Sequence, residues 1–271
     1  MNEIKFVEKL RGYSSLIGDD CAVIQPPRGH DLLFTTDFTI EGVHFTRESK
    51  PEEVGRRALA RSLSDIAAMG GTPRYCLVSM ALGPRTDQRW INGFYRGMNR
   101  LLRQTKVELA GGDLSHANQF VCDVMVCGSV RKGQALRRDG ARPGDLIYVS
   151  GALGGWRHKA VIVPRLDAGR ALAGKVSSCI DISDGLAMDL FRLGLASGVA
   201  AQLDSIPLLK GATLEQALHD GEDYELLYTA PPRKPAPGIR IGVIKKGKPG
   251  AITLQGKPVS PAGYDHFQHR S

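Results

Sequence analysis

Apolar and polar positions change period several times along this chain, and the changes predict alternating strands and helices. In the first half, "CAVI" (21–24) and "DLLFTTD" (31–37) are short apolar runs of strand type. "SKPEEVGRRALARSLSDIAAMGG" (49–71) instead repeats its apolar residues at helical spacing. Ser49 and Glu52 have capping-box spacing, Pro51 suits a first turn, and Gly70-Gly71 supplies a stop. "RYCLVSMAL" predicts a strand ending at Gly83-Pro84, and "TDQRWINGFYRGMNRLLRQT" a helix. "KVELAGGD" predicts a short strand and loop, and "QFVCDVMVCGSV" a strand.

The pattern then lapses into the polar, Gly/Pro-punctuated "RKGQALRRDGARPGD". A domain boundary is predicted there, near residue 133, dividing the chain into 1–132 and 133–271. Beyond it, "DLIYVSG", "CIDIS" and "VAAQLD" predict strands, and "DGLAMDLFRLGLASG" and "ATLEQALHDG" helices. "DYELLYTA" and "IRIGVIKK" predict the last strands. Helices mixed with short strands in both halves indicate two α+β domains.

Carboxylates recur where apolar elements end. Asp19 and Asp20 precede "CAVI", Asp37 closes the second strand, Asp113 follows Gly111-Gly112, and Asp181 and Asp184 bracket Ser183. Asp65 differs: at helical spacing it shares a face with Val54, Ala58 and Met69, so it needs a partner, a metal or a proton. Singly, an Asp at an element end caps backbone donors, and Asp184 reads equally as the N-cap of a helix from Leu186. Asp189 and Asp204 read as surface residues. As a set, Asp-rich ends beside glycine pairs point to a metal–phosphate site, because hard divalent cations take oxygen ligands and glycine lets phosphate approach the backbone.

Two other motifs carry less. "GVIKKGK" (242–248) matches a phosphate-loop spacing, but Pro249 stands where Ser or Thr belongs and no helix follows, so it reads as a turn. "SGALGG" (150–155) reads equally as a tight turn or as a loop near phosphate. The formal charge of +8 raises nucleic acid as a partner, but the basic residues are scattered and aromatics are only 6% of the chain, which argues against it. The five cysteines include no C-x-x-C pair, and strand alternation sends Cys122 and Cys127 to opposite faces, so buried reduced thiols are expected. The charged start and the absence of a long apolar run predict no signal peptide, no membrane span and a cytoplasmic protein.

"IGDDCAVI", "TTDFTIEGVHF", "SLSDIAAMGGTPR", "GGDLS", "RDGARPGDLIYVSG", "IDISDGLAMDL", "GEDYELL" and "GYDHF" resemble, in this order and over almost the whole chain, the motifs of thiamine-monophosphate kinases. That family belongs with the aminoimidazole ribonucleotide and selenophosphate synthetases. The resemblance implies two mixed α/β-sandwich domains, with N-terminal sheets pairing across a homodimer. The N-terminal domain would bind metal and ATP, and the C-terminal one would complete the nucleotide and substrate sites. The implied reaction transfers the ATP γ-phosphoryl group to thiamine monophosphate with the help of several Mg²⁺ ions.

Motif matching implies Asp20, Thr35, Thr36, Asp37, Asp65, Asp113, Asp181 and Asp184 as Mg²⁺ ligands. It implies Gly112, Asp113, Arg138 and Ser183 as ATP contacts, and His44, Glu222 and Tyr264 as contacts to the thiamine moiety. Asp37, Asp65, Asp113 and Arg138 would carry catalysis. Two other readings are a different ATP-using synthetase of the superfamily and a non-catalytic nucleotide or thiamine-phosphate binding protein. Cys21, in a predicted strand, disfavours selenophosphate synthesis, and the full set of aspartates disfavours a binding protein. Between "SGALGG" and "CIDISDGL" the chain is shorter than is usual for the family.

Overall fold

The computed structural model describes Gly12 and residues 27–158, 161–234 and 236–264. The predicted strand "CAVI" and Asp20 lie outside the described residues. The chain divides into two compact units, the first comprising residues up to Ile66 plus Thr72–Gly133, the second Ala67–Gly71 plus Gln134 onward.

The first unit is built on a four-stranded sheet of order β1-β4-β2-β3. Its strands are β1 (His30–Ile40), β2 (Thr72–Leu82), β3 (Glu108–His116) and β4 (Val121–Arg131). β4 pairs antiparallel with both β1 and β2, and β3 adds parallel to β2. The predicted loop at Gly111-Gly112 is instead strand. The glycines permit this because a Cβ on Gly112 would stand 1.9 Å from the Val78 carbonyl oxygen.

Helices α1 (Pro51–Ala68) and α2 (Gln88–Thr105) follow their predicted segments. Asp87 caps α2, its carboxylate accepting the Trp90 N–H at 2.7 Å. The capping-box spacing before α1 is used otherwise: the Ser49 hydroxyl accepts the Thr46 N–H, and Glu52 pairs with Arg96. α1 lies on one sheet face, where the Ser62 hydroxyl donates to the Val124 carbonyl. α2 meets α1 almost backbone to backbone. A Cβ on Gly55 would fall 2.0 Å from the Phe94 carbonyl oxygen, and one on Gly97 1.8 Å from that of Glu52. Phe94 and Trp90 of α2 then close an aromatic cluster with Phe45 and Phe120.

The other sheet face stays open among the described residues. On β1 the inward residues alternate with Leu32, Phe34 and Phe38, and these three are 44%, 65% and 55% exposed. Across the register, Phe34 faces Cys127 and Phe38 faces Asp123. Cys122 is buried and Cys127 half-buried, as strand alternation requires. Burial pushes the Cys76 thiol up to about 12, and no described cysteine is in a disulfide.

The second unit holds a seven-stranded sheet of order β11-β10-β7-β9-β5-β8-β6. Its strands are β5 (Leu146–Val149), β6 (Ser178–Asp181), β7 (Ala200–Leu203), β8 (Leu226–Ala230), β9 (Ile239–Lys245), β10 (Ile252–Leu254) and β11 (Lys257–Pro258). Its helices are α3 (Leu166–Leu172), α4 (Leu186–Ser197) and α5 (Leu214–His219). The core gathers Leu186, Leu190 and Leu193 of α4 against Ile147, Ile180, Leu227 and Ile241 of the sheet. α5 has a complete capping box between Thr213 and Gln216. α3, β10 and β11 were not predicted; each is short and lacks a full period of apolar residues. "GVIKKGK" is the end of β9 and a turn. Both units are mixed α/β, as expected from the sequence.

Candidate active site

In the first unit, α1 brings Asp65 onto β1, where the Thr35 hydroxyl donates to its carboxylate. Asp37 shares that face, since alternate strand residues point the same way. Its partners are Arg61, 3.9 Å away and itself nearly buried, and the Ser62 hydroxyl. Burial, reinforced by Asp65 and Asp123, pushes the Asp37 carboxyl up to about 7, against the pull of Arg61 and Ser62. Two carboxylates crowded under a helix favour a proton or a cation.

Thr36 faces the open side, where its hydroxyl donates to Asp123. Asp123 was missed in the sequence. It interrupts "VCDVMVC", and the period-2 pattern of β4 put it off the buried face, but its nearness to Asp37 emerges only from the β1–β4 register. Gly112 lies in one row with Asp37, Val124 and Val78, three strands away. At the usual strand spacing that is about 14 Å. Asp113 registers with Ser79, and Ser79 with Asp123, on the open face. The structure therefore brings Thr35, Asp37 and Asp65 together and leaves Asp113 apart. Among the described residues no group of three or more His, Cys, Asp or Glu forms a metal-binding cluster. The Asp37–Asp65 pair still suits Mg²⁺, which takes one or two carboxylates and completes its shell with water and phosphate oxygens.

His44 follows the end of β1, and its Nδ1 accepts the Ile40 N–H at 3.0 Å. This fixes the neutral ring's proton on Nε2.

In the second unit, β6 ends on the buried Asp181, and the chain continues as a loop along residues 222–225. Ile182 N–H donates to the Glu225 carbonyl, Tyr224 N–H to that of Ile182, and Glu222 N–H to that of Ser183. Tyr264 N–H reaches the Asp184 carbonyl at 3.1 Å. Ser183, Asp184, Glu222 and Tyr264 are thus drawn into one place. Glu222 and Tyr224 hold positive φ angles of 67° and 50°. For residues other than glycine this costs about 1–3 kcal/mol each and persists only where surroundings impose it.

Two corrections concern α4. Its N-cap is Gly185, without a side-chain cap, so Asp184 is not the cap. Asp189, expected at the surface, is buried, and its carboxylate accepts the N–H groups of Ser183 and Asp184, both at 2.9 Å. Burial pushes its carboxyl up to about 6. Arg192 bridges Asp184 at 2.6 Å and Asp189 at 2.8 Å. Asp204, in keeping with its surface assignment, makes an exposed ion pair with Arg240.

The "SGALGG" loop spends its amides internally, since Gly154 and Gly155 N–H groups donate to Asp223. Glu225 is buried and receives the Arg165 guanidinium at 2.5 and 2.8 Å and the Ser150 hydroxyl at 2.5 Å. Arg165, at the start of α3, lies within the shortened segment. Arg138 is exposed; its carbonyl accepts the Ser197 hydroxyl.

A family model described as AIR synthase related protein, N-terminal domain, matches residues 18–130. The chain is 33% identical to the thiamine-monophosphate kinase of Haemophilus influenzae, over 93% of this chain and 91% of that one. It is 32% identical to the Aquifex aeolicus enzyme of the same name, over 94% of each. Among solved structures, thiamine-monophosphate kinase from Stenotrophomonas maltophilia K279a superposes with TM-score 0.84 at 30% identity, covering 96% of this chain and 98% of that one. AaThiL complexed with AMPPCP and TMP superposes with TM-score 0.82 at 31% identity, covering 98% and 97%. Sequence and fold agree, and the chain belongs to the thiamine-monophosphate kinase family.

Proposed function

We propose that this protein transfers the γ-phosphoryl group of ATP to thiamine monophosphate, giving thiamine diphosphate and ADP by direct in-line transfer. The observation that carries the reading is the Asp37–Asp65 pair, crowded under α1 in a chain that aligns over nearly its whole length with AaThiL, solved with AMPPCP and TMP. Asp37 and Asp65, with Thr35, would hold Mg²⁺ on the face covered by α1; Thr36 and Asp113, on the open face, and Asp20, Asp181 and Asp184 would serve further Mg²⁺ ions. Bound Mg²⁺ neutralises and aligns the phosphates, the main obstacle when two anions react.

Gly112, Asp113, Arg138 and Ser183 contact ATP, and Arg138 adds a fixed positive charge. His44, Glu222 and Tyr264 hold the thiamine moiety. With its Nδ1 engaged by Ile40, His44 presents a donor, Nε2–H, and no free basic nitrogen. His44 is therefore not placed as a base for a hydroxyl acceptor, and a phosphate acceptor, already anionic, needs none.

The N-terminal unit, residues 1–132, mediates a homodimer through its open sheet face. Exposed Leu32, Phe34 and Phe38 on that face are the support, because large apolar side chains left exposed on one face are commonly covered at an interface. No helix among the described residues is long and apolar enough to cross a membrane. The test supplies thiamine monophosphate or free thiamine with excess ATP and Mg²⁺ and follows ADP and product. Turnover of the monophosphate alone is expected; comparable turnover of free thiamine would overturn the mechanism.

A further inference from the structure

The turn Gly221–Glu225 carries more chemistry than its one proposed substrate contact uses. Asp223 and Glu225 are each 1% exposed, whereas Glu222 between them is half-buried. Glu222 and Tyr224, on either side of Asp223, adopt the left-handed backbone. A turn built this way relaxes unless its neighbours hold it.

Asp223 is the side chain placed to hold it. Its carboxylate accepts the Gly154 N–H at 3.1 Å and the Gly155 N–H at 3.1 Å, with a second, longer approach to Gly154 at 3.4 Å. Trp156 N–H then donates to the Gly221 carbonyl at 2.9 Å. Residues 154–156 are thereby stitched to residues 221–223 by three consecutive amides. On its far side the turn is tied to Ser183 through the Glu222 N–H. The two adjacent glycine amides resemble a phosphate cradle in sequence, but an internal carboxylate takes the place of the anion. Consecutive backbone N–H groups bind carboxylate and phosphate alike.

We infer that Asp223 is a positioning residue for the acceptor: by occupying the Gly154–Gly155 amides it fixes the Glu222 backbone, and so aims the Glu222 side chain at the thiamine moiety. The inference rests on the assignment of Glu222 in the proposed function. It separates the roles of neighbouring acids in "GEDYE": Glu222 touches substrate and Asp223 acts through it. Asp223→Asn preserves shape and can accept one amide, but its NH₂ group confronts the other N–H, donor against donor.

The experiment is steady-state kinetics on the full chain with Mg²⁺, varying thiamine monophosphate and ATP separately, for wild type, E222Q, D223N and the double variant. D223N is expected to raise KM for thiamine monophosphate by about tenfold, the scale of one buried donor left unsatisfied, with kcat and KM for ATP little changed. The double variant is expected to be no worse than E222Q, since coupled residues are non-additive. A D223N enzyme with unchanged KM for thiamine monophosphate overturns the inference, as does a double variant whose effects simply multiply. If D223N fails to fold, D223S, which keeps an acceptor for one amide, takes its place in the same comparison. Wild-type protein inert toward thiamine monophosphate would instead overturn the functional reading beneath, and this is seen before any variant is compared.

Discussion

Asp37→Asn should stabilise the magnesium-free protein while removing its turnover. The Asp37 carboxyl titrates at about 7 in the fold, against an ordinary 3.8. An acid whose pKa is raised by folding is carried at a cost when ionised. The native state holds a proton there that the unfolded chain has released, so stability falls as pH rises from about 4 to about 7. The difference is about 3 pH units, and at about 1.36 kcal/mol per unit the full cost above pH 7 is about 4 kcal/mol. Asn removes that cost, and its NH₂ group can donate toward Asp65. The pull of Arg61 is already counted in that value. A stabilisation of up to about 4 kcal/mol is therefore expected, worth several degrees in Tm for a chain of this size. The assay is thermal unfolding of wild type and variant in EDTA from pH 4 to pH 8. The gap should be widest at pH 8 and vanish toward pH 4. A variant less stable than wild type at pH 8, or a gap independent of pH, would refute the argument. Added Mg²⁺ should raise the wild-type Tm and leave the variant's nearly unmoved, because binding to the native state alone stabilises it.

Asp65→Asn, which keeps the Thr35 contact but halves the charge of the pair, should reduce kcat by at least about a hundredfold with the fold intact by circular dichroism. Phe34→Glu combined with Phe38→Glu should yield a monomer by sedimentation, since each phenyl ring would contribute about 1.5–3 kcal/mol if buried at an interface. Glu225→Ala should destabilise the protein by about 3–5 kcal/mol in urea unfolding, because the Arg165 guanidinium would lose both its carboxylate bonds.

Strands and helices longer than ten residues were legible from their periods alone, as in α1, α2 and β4. The misreadings have local causes. Gly111 and Gly112 looked like a loop because glycine weakens strand propensity, yet β3 needs them where its backbone passes close to β2. Asp189 looked exposed because a charged residue near a helix start usually faces water. Here the amides of Ser183 and Asp184 turn it inward, an arrangement made by the preceding loop rather than by the helix. Asp65 was legible because helical phase alone placed it on an apolar stripe. Asp123 was not, since its meaning depends on which strand lies beside β4, and pairing register is not written in either strand singly.

The glycine contacts between α1 and α2 reach beyond packing. At Gly55 and Gly97 the two helices pack so closely that neither position has room for a methyl group. α1 carries Asp65 two to three turns further along the same rigid rod. A lineage drifting by single substitutions could exchange most of the surface of α2, but Ala at Gly97 would push α1 and shift its carboxylate against β1. Loss of activity in such a variant would arise far from any phosphate. Screens for improved catalysts should therefore treat these two glycines as part of the active site's address, although neither can touch a ligand.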